Sequence, residues 1–131
     1  MNIIDSSGWL SYFADEPSAN HFHAPIQDIE SLIIPVITIY EVFKVALRES
    51  SENEALQAVA AMQKGTVVEL TSKLAISASK LSLQHKLPMA DSIVLATAND
   101  YNATIWTQDR DFKDIPGVNY FSKIKNGQQD S

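Results

Sequence analysis

The stretch Leu87–Phe112, LPMADSIVLATANDYNATIWTQDRDF, decides the fold class. Its first half reads as a helix opening after Pro88, with Ile93, Val94, Leu95, Ala96 and Ala98 crowding one side. Ala103–Thr107, ATIWT, reads as a short buried strand, and Asp109 and Asp111 follow it directly. A helix that leads into an apolar strand ending in carboxylates suggests one unit of a parallel sheet. In such sheets ligands bind outside the carboxyl ends of the strands. Another carboxylate, Asp91, stands near the start of the helix.

The same pattern extends outward. Asn2–Ile4 reads as a first strand ending at Asp5. SSGWLSYFADE then reads as a helix with Ser6 or Ser7 as N-cap and with Trp9, Leu10 and Phe13 on its apolar face; Pro17 stops it. Residues 18–31 form a second helical stretch interrupted by Pro25, and LIIPVIT, residues 32–38, reads as a buried strand. A helix over 39–50 carries Ile39, Val42, Phe43, Ala46 and Leu47 at helical spacing. The next, over 51–64, opens on a Ser-x-x-Glu capping box and ends at Gly65. TVVEL is a strand, residues 71–86 a helix with Leu74, Ala78 and Leu81 on one side, and GVNYF a short last strand. The expected fold class is α/β: a three-layer α/β/α domain over 1–122 around a parallel sheet of four to five strands, then a polar, frayed tail over 123–131.

Composition narrows the function. The 131 residues suit one domain, and 45% hydrophobic and 20% charged residues are a globular mix. There is no cysteine, which excludes a thiolate zinc site and a thiol nucleophile. The N-terminus lacks the basic and apolar regions of a signal peptide, and no apolar run reaches membrane-spanning length, so the expectation is a soluble cytoplasmic protein. A net charge of −6 counts against a broad grip on phosphate backbones. It fits acidic groups gathered in a site that holds cations.

Five carboxylates are candidates for that site. Asp5 follows the first strand, Glu41 lies early in the helix after the second, Asp91 opens the helix before the fourth, and Asp109 and Asp111 follow the fourth. In a right-handed parallel sheet all can reach one edge. Like charges so close repel one another unless a divalent cation sits between them. Ligation by oxygen alone points to Mg²⁺ or Mn²⁺. Two such ions ~3.5–4 Å apart can activate a water and stabilise the leaving oxygen in phosphodiester hydrolysis. Each residue also has an ordinary structural reading. Asp5 and Asp91 fit as helix caps, Glu41 as an exposed partner of Lys44, and Asp109 and Asp111 as turn carboxylates.

The four segments NIIDSSGWLSYF, ITIYEVFKV, LPMADSIVLATA and IWTQDRDF resemble the four acidic motifs of PIN-domain proteins, in the style of the VapC-like toxins of toxin–antitoxin pairs. The resemblance runs from Met1 to about Phe121. It implies a Mg²⁺- or Mn²⁺-dependent endoribonuclease acting on single-stranded or tRNA-like RNA. It also implies a homodimer and a cognate VapB-like antitoxin that places a basic side chain near the acidic pocket. Asp5, Glu41, Asp91 and Asp109 resemble the acidic residues of the four motifs. Asp111 resembles the second Asp of the Thr-x-Asp-x-Asp-Phe form, and Ser6 and Thr107 the small hydroxyl residues that line the pocket. On this reading Asp5 and Asp91 hold the main ion, and Asp109 with Asp111 a second. Glu41 orients the attacking water or binds the second ion. Setting aside Asp5, Glu41, Asp91 and Asp109 brings the net charge from −6 to about −2. The 10 Lys and Arg are scattered, so RNA preference would come from shape and a few splayed bases.

Two rivals stand beside this reading. One is a Mg²⁺-dependent phosphohydrolase of a small phosphoester, though no Gly-rich phosphate loop is present. The other is a catalytically silent PIN-fold module that only binds a partner. Trp9, Tyr12, Phe13 and Phe43 fit core or dimer contacts better than base stacking. His21 and His23 are expected on the surface, and His85 at the end of a helix, beside Lys86, where a cation complements the dipole.

Overall fold

The computed structural model describes residues 1–123. The frayed tail expected beyond them lies outside the described residues. Five strands form one all-parallel sheet: β1 (Asn2–Ile4), β2 (Leu32–Pro35), β3 (Thr66–Val68), β4 (Thr104–Thr107) and β5 (Val118–Tyr120), in the order β3-β2-β1-β4-β5. The α-helices are α1 (Ser6–Phe13), α2 (Asn20–Gln27), α3 (Val36–Glu49), α4 (Glu52–Met62), α5 (Ser72–His85) and α6 (Met89–Tyr101). From β1 the chain builds outward to β3, then crosses back to lay β4 on the other side of β1. The strand order therefore reverses between β1 and β4, and a crevice opens outside their carboxyl ends.

Strand alternation produces the three layers. Ile4, Leu32 and Ile34 point to one face and pack with Trp9, Phe22, Val42 and Met62. Ile3, Ile33 and Ile105 point to the other and pack with Leu74, Ala78, Val94 and Leu95. Each neighbour in the chain serves the opposite core, as a period of two requires. Every residue of the run Ser92–Ala98 is buried, so the middle of α6 lies inside the molecule while its two ends reach the surface.

Several local expectations need correction. Asp5, not Ser6 or Ser7, caps α1: its carboxylate accepts from the Gly8 N–H. The helix ends near Phe13, before Pro17 can stop it, and Asp15 turns the chain with φ 51°. Pro25 lies inside α2 with its ring buried, so packing offsets the missing rung. The stretch read as strand 32–38 splits at Pro35, and Val36, Ile37 and Thr38 belong to α3. Pro35 offers no N–H to extend the ladder, and Thr38 Oγ1 donates to the Pro35 carbonyl at 2.6 Å inside the first turn. Pro88, not Asp91, is the N-cap of α6. Ser51 does cap α4, accepting from the Glu54 N–H at 3.1 Å. His21 is half-buried rather than on the surface, its ring stacked on Phe121 with centroids 4.3 Å apart.

Gly8 is fixed by close approach. A Cβ there would stand 2.6 Å from Ile4 Cγ2 and 2.8 Å from the Phe22 ring, both fully buried. Alanine would gain up to about 1 kcal/mol of helix propensity. Overpacking of a filled core costs about 1–3 kcal/mol, and neither neighbour has room to yield. Gly8→Ala is therefore expected to lower stability in urea denaturation by about 1 kcal/mol or more. An unchanged or raised midpoint would show that the α1–sheet contact is looser than described.

Candidate metal centre

The centre is built at the crevice between β1 and β4. Asp5 leaves β1 there, its N–H donating to the Trp106 carbonyl at 3.2 Å. Its side chain is 2% exposed and held from three directions. Oδ1 accepts from Ser7 Oγ at 2.6 Å and from the Gly8 N–H at 3.1 Å, and Oδ2 accepts from Thr107 Oγ1 at 2.7 Å. A carboxylate has about four acceptor positions. Three are taken, which leaves about one for a ligand. Asp5 thus caps α1 and faces the crevice, combining two roles that its sequence position left as alternatives.

Thr107 continues the network along β4. Its hydroxyl donates to Asp5 and accepts from the Asp109 N–H at 2.9 Å. Asp109 Oδ1 in turn accepts from the Asp111 N–H at 2.9 Å and caps the short 3-10 turn Arg110–Phe112. The carboxylates of Asp109 and Asp111 meet that of Asp91 from the first turn of α6, with one oxygen of each within 4.8 Å of the others. Asp5 and Glu41 lie outside this trio. Both are near enough for the charge of Asp109 to act on them, and the charge of Asp5 acts on Asp91. Glu41 lies in the second turn of α3 and takes a hydrogen bond from the Ser6 side chain. The five carboxylates singled out in the sequence therefore face one region, with Asp91, Asp109 and Asp111 in the tightest approach.

Two further residues belong to this edge. Ser7, considered only as a cap, ties the loop after β1 to the loop after β4. Its Oγ accepts from the Gln108 N–H at 3.2 Å, and its carbonyl accepts from Gln108 Nε2 at 3.3 Å. Gln108 is buried, and its Oε1 has no hydrogen-bond partner among the described residues. The available signal was position alone: each is a polar residue at or just beyond the end of a buried strand. Of the aromatics weighed for stacking, Trp9 is buried in the core and stacked on Phe13.

The cluster carries an electrostatic cost. Burial pushes the Asp5 carboxyl up to about 6, despite the bonds from Ser7, Thr107 and Gly8 that favour its charged form; the charge of Asp109 adds to the rise. Burial also raises Glu41, against the Ser6 bond and with the charge of Asp109. Asp91 is pushed up to about 8, first by burial, then by the charges of Asp109 and Asp5, by a hydrogen bond to Asp109, and by Asp111. Hard oxygen donors that repel one another when ionised are a donor set that a divalent cation would complete.

The profile of the PIN domain family matches residues 3–118. No curated protein sequence matches the chain. Among solved structures it is similar to a toxin–antitoxin complex of Klebsiella pneumoniae, at 24% identity and TM-score 0.76, covering 90% of this chain and 95% of that one. It is also similar to VapC20 of Mycobacterium tuberculosis, a sarcin-ricin loop cleaving toxin, at 15% identity and TM-score 0.77, covering 90% and 97%. A third is the DNA-bound VapBC of Salmonella typhimurium, at 18% identity and TM-score 0.72, covering 92% and 98%.

All of these raised carboxyls bind a proton more tightly in the folded protein than in the unfolded chain. The stability that protonation supplies is complete below the ordinary value of 3.8. It is lost as pH rises through about 6 for Asp5 and about 8 for Asp91. Metal-free protein is therefore expected to melt at falling temperature from about pH 5 to about pH 8. Asp91→Asn should flatten the fall, and Mn²⁺ should reverse it at the upper end. A melting temperature that rises over this range would contradict the charge cluster. The shared position of these carboxylates, on a domain matched from residue 3 to residue 118, places the chain in the PIN domain family.

Proposed function

We propose that this chain is a divalent-metal-dependent endoribonuclease acting as the toxin of a toxin–antitoxin pair. The observation that carries the reading is the convergence of Asp91, Asp109 and Asp111 beside the buried, three-fold-bonded Asp5. Support comes from the PIN family match and from neighbours described as toxins and toxin–antitoxin complexes. The donors are all carboxylate oxygens, which suits Mg²⁺ or Mn²⁺. Asp91, Asp109 and Asp111, with the open position on Asp5, would hold the ion. When bound, such an ion supplies positive charge that polarises a phosphoryl oxygen and favours ionisation of an attacking water.

The remaining roles fall to the side chains themselves. Ser7, Thr107 and the Gly8 amide hold Asp5 in one orientation. Glu41, raised by burial, would take a proton at its carboxylate oxygen as water attacks the phosphodiester. No protein nucleophile is required. A VapB-like antitoxin presenting a basic side chain would neutralise the same edge, and a second copy of the chain would complete a homodimer.

The test is cleavage of total tRNA and a structured RNA pool by the antitoxin-free protein with Mn²⁺, beside Asp5→Asn and Asp91→Asn. Discrete products are expected, reduced by at least about 100-fold in both variants, since even outer-shell partners of a metal contribute 10–100-fold. Mn²⁺ binding without cleavage would sink the ribonuclease. Turnover of a small phosphoester in its place would transfer the site to the phosphohydrolase reading.

A further inference from the structure

In sequence the basic residues look scattered, but three of them meet at one place. Arg110, Lys113 and Lys123, out of 10 Lys and Arg in the chain, line a cavity of about 330 Å³ together with Gln108, Tyr120 and Ser122. Among the described residues no acidic side chain lines it. Among the described residues none of the three cations is engaged in an ion pair, and all three are exposed. The cavity adjoins the acidic centre through the chain itself: Arg110 stands between Asp109 and Asp111, and Gln108 is bonded to Ser7, which holds Asp5. Adjacent residues of one loop thus serve two sites of opposite sign.

A chain of net charge −6 has no general attraction for a polyanion, so unpaired cations gathered at one spot call for an anionic ligand. Arg110 and Lys113 can take phosphate oxygens, Arg through its planar fork. Tyr120 adds an aromatic ring to the lining. Phosphate donors and one aromatic ring together match a nucleotide of a single strand. We infer that the Arg110–Lys113–Lys123 cavity is a subsite for the RNA nucleotide next to the scissile phosphate: the basic groups hold the flanking phosphate and Tyr120 stacks the base. This rests on the ribonuclease reading and adds to it the residues that grip the strand.

The experiment is fluorescence-anisotropy binding of a labelled uridine oligonucleotide to Asp5→Asn protein, which is silenced for cleavage, across a salt series. The added pair Arg110→Gln/Lys113→Gln is expected to weaken binding by about 10-fold or more. It should also shallow the dependence of log K on log salt by about 1.4, at about 0.7 per phosphate contact on a single strand. Tyr120→Ala should weaken binding by about 10-fold with the salt slope retained. Lys73→Gln/Lys80→Gln, on the separate groove between α5 and α6, makes the same charge change and should do neither. In cleavage assays the loss should fall on KM rather than kcat.

Equal losses in the Lys73/Lys80 control, or unchanged affinity and slope in the Arg110/Lys113 variant, would overturn the subsite while leaving the ribonuclease intact. Absence of RNA binding by the parent protein would overturn both. Charge-dependent binding of a polyglutamate peptide with no RNA bound would give the cavity to an acidic protein segment and also overturn it.

Discussion

One buried carboxylate fixes the geometry of the rest. Asp5 follows β1, caps α1 by accepting from the Gly8 N–H and accepts a hydrogen bond from the Thr107 hydroxyl on β4. Those bonds join the first strand, the first helix and the returning strand at the point where the sheet reverses its order. A carboxylate that is 2% exposed would be expensive if unsatisfied. Three donors offset much of that cost, and they do so only in one arrangement of the two loops. The close contact of Gly8 with Ile4 and Phe22 sets how near α1 approaches the sheet, and with it where the Gly8 amide reaches Asp5.

The same network determines what the edge costs. Because Thr107 bonds both Asp5 and the Asp109 amide, moving Asp109 away from Asp91 would break the support of Asp5. Asp109 also carries the Asp111 amide, so the two acidic residues turn as a unit toward α6. The cost recorded in the raised Asp91 and Asp5, of burial first and of neighbouring charge after it, is therefore built in rather than relaxed away. On the metal-dependent reading proposed above, a fold that holds these oxygens by hydrogen bonds to their own loops would be pre-organised for a cation. It would give up stability in the ion's absence, the trade expected where a site needs its charges in place beforehand.

Much of this was legible in the sequence because parallel strands and their following residues leave a plain signature. Ile3–Ile4, Ile33–Ile34 and Ile105 announce a sheet covered on both faces, and the carboxylates after β1 and β4 announce its working edge. The errors came where local preference and three-dimensional context compete. Val36, Ile37 and Thr38 are β-branched and read as strand, yet Pro35 ends the ladder and they open α3 instead. Pro25 reads as a break, yet its buried ring is accommodated within a helix. Asp5 and Asp91 each fit a capping position, and only the geometry separates the one that caps from the one that does not. Ser7 and Gln108 were missed because their importance lies in a contact across about a hundred residues, Gln108 N–H to Ser7 Oγ, which no local pattern encodes.

Net charge is the other place where the sum conceals the arrangement. At physiological salt a charge acts over a Debye length of about 8 Å. A strand arriving at the crevice therefore responds to the charges lining it, not to the −6 of the whole chain. That local field has two parts in the proposed reading. The carboxylates of Asp91, Asp109 and Asp111 would repel a phosphate until a cation neutralises them. The cavity of Arg110, Lys113 and Lys123 would attract one without any ion. Since Arg110 lies between Asp109 and Asp111, a single 3-10 turn separates the two signs by one residue. A strand held first by the basic cavity would bring its neighbouring phosphate to the acidic edge, where the cation alone makes its approach favourable. Binding and chemistry would then depend on different charges carried by the same loop.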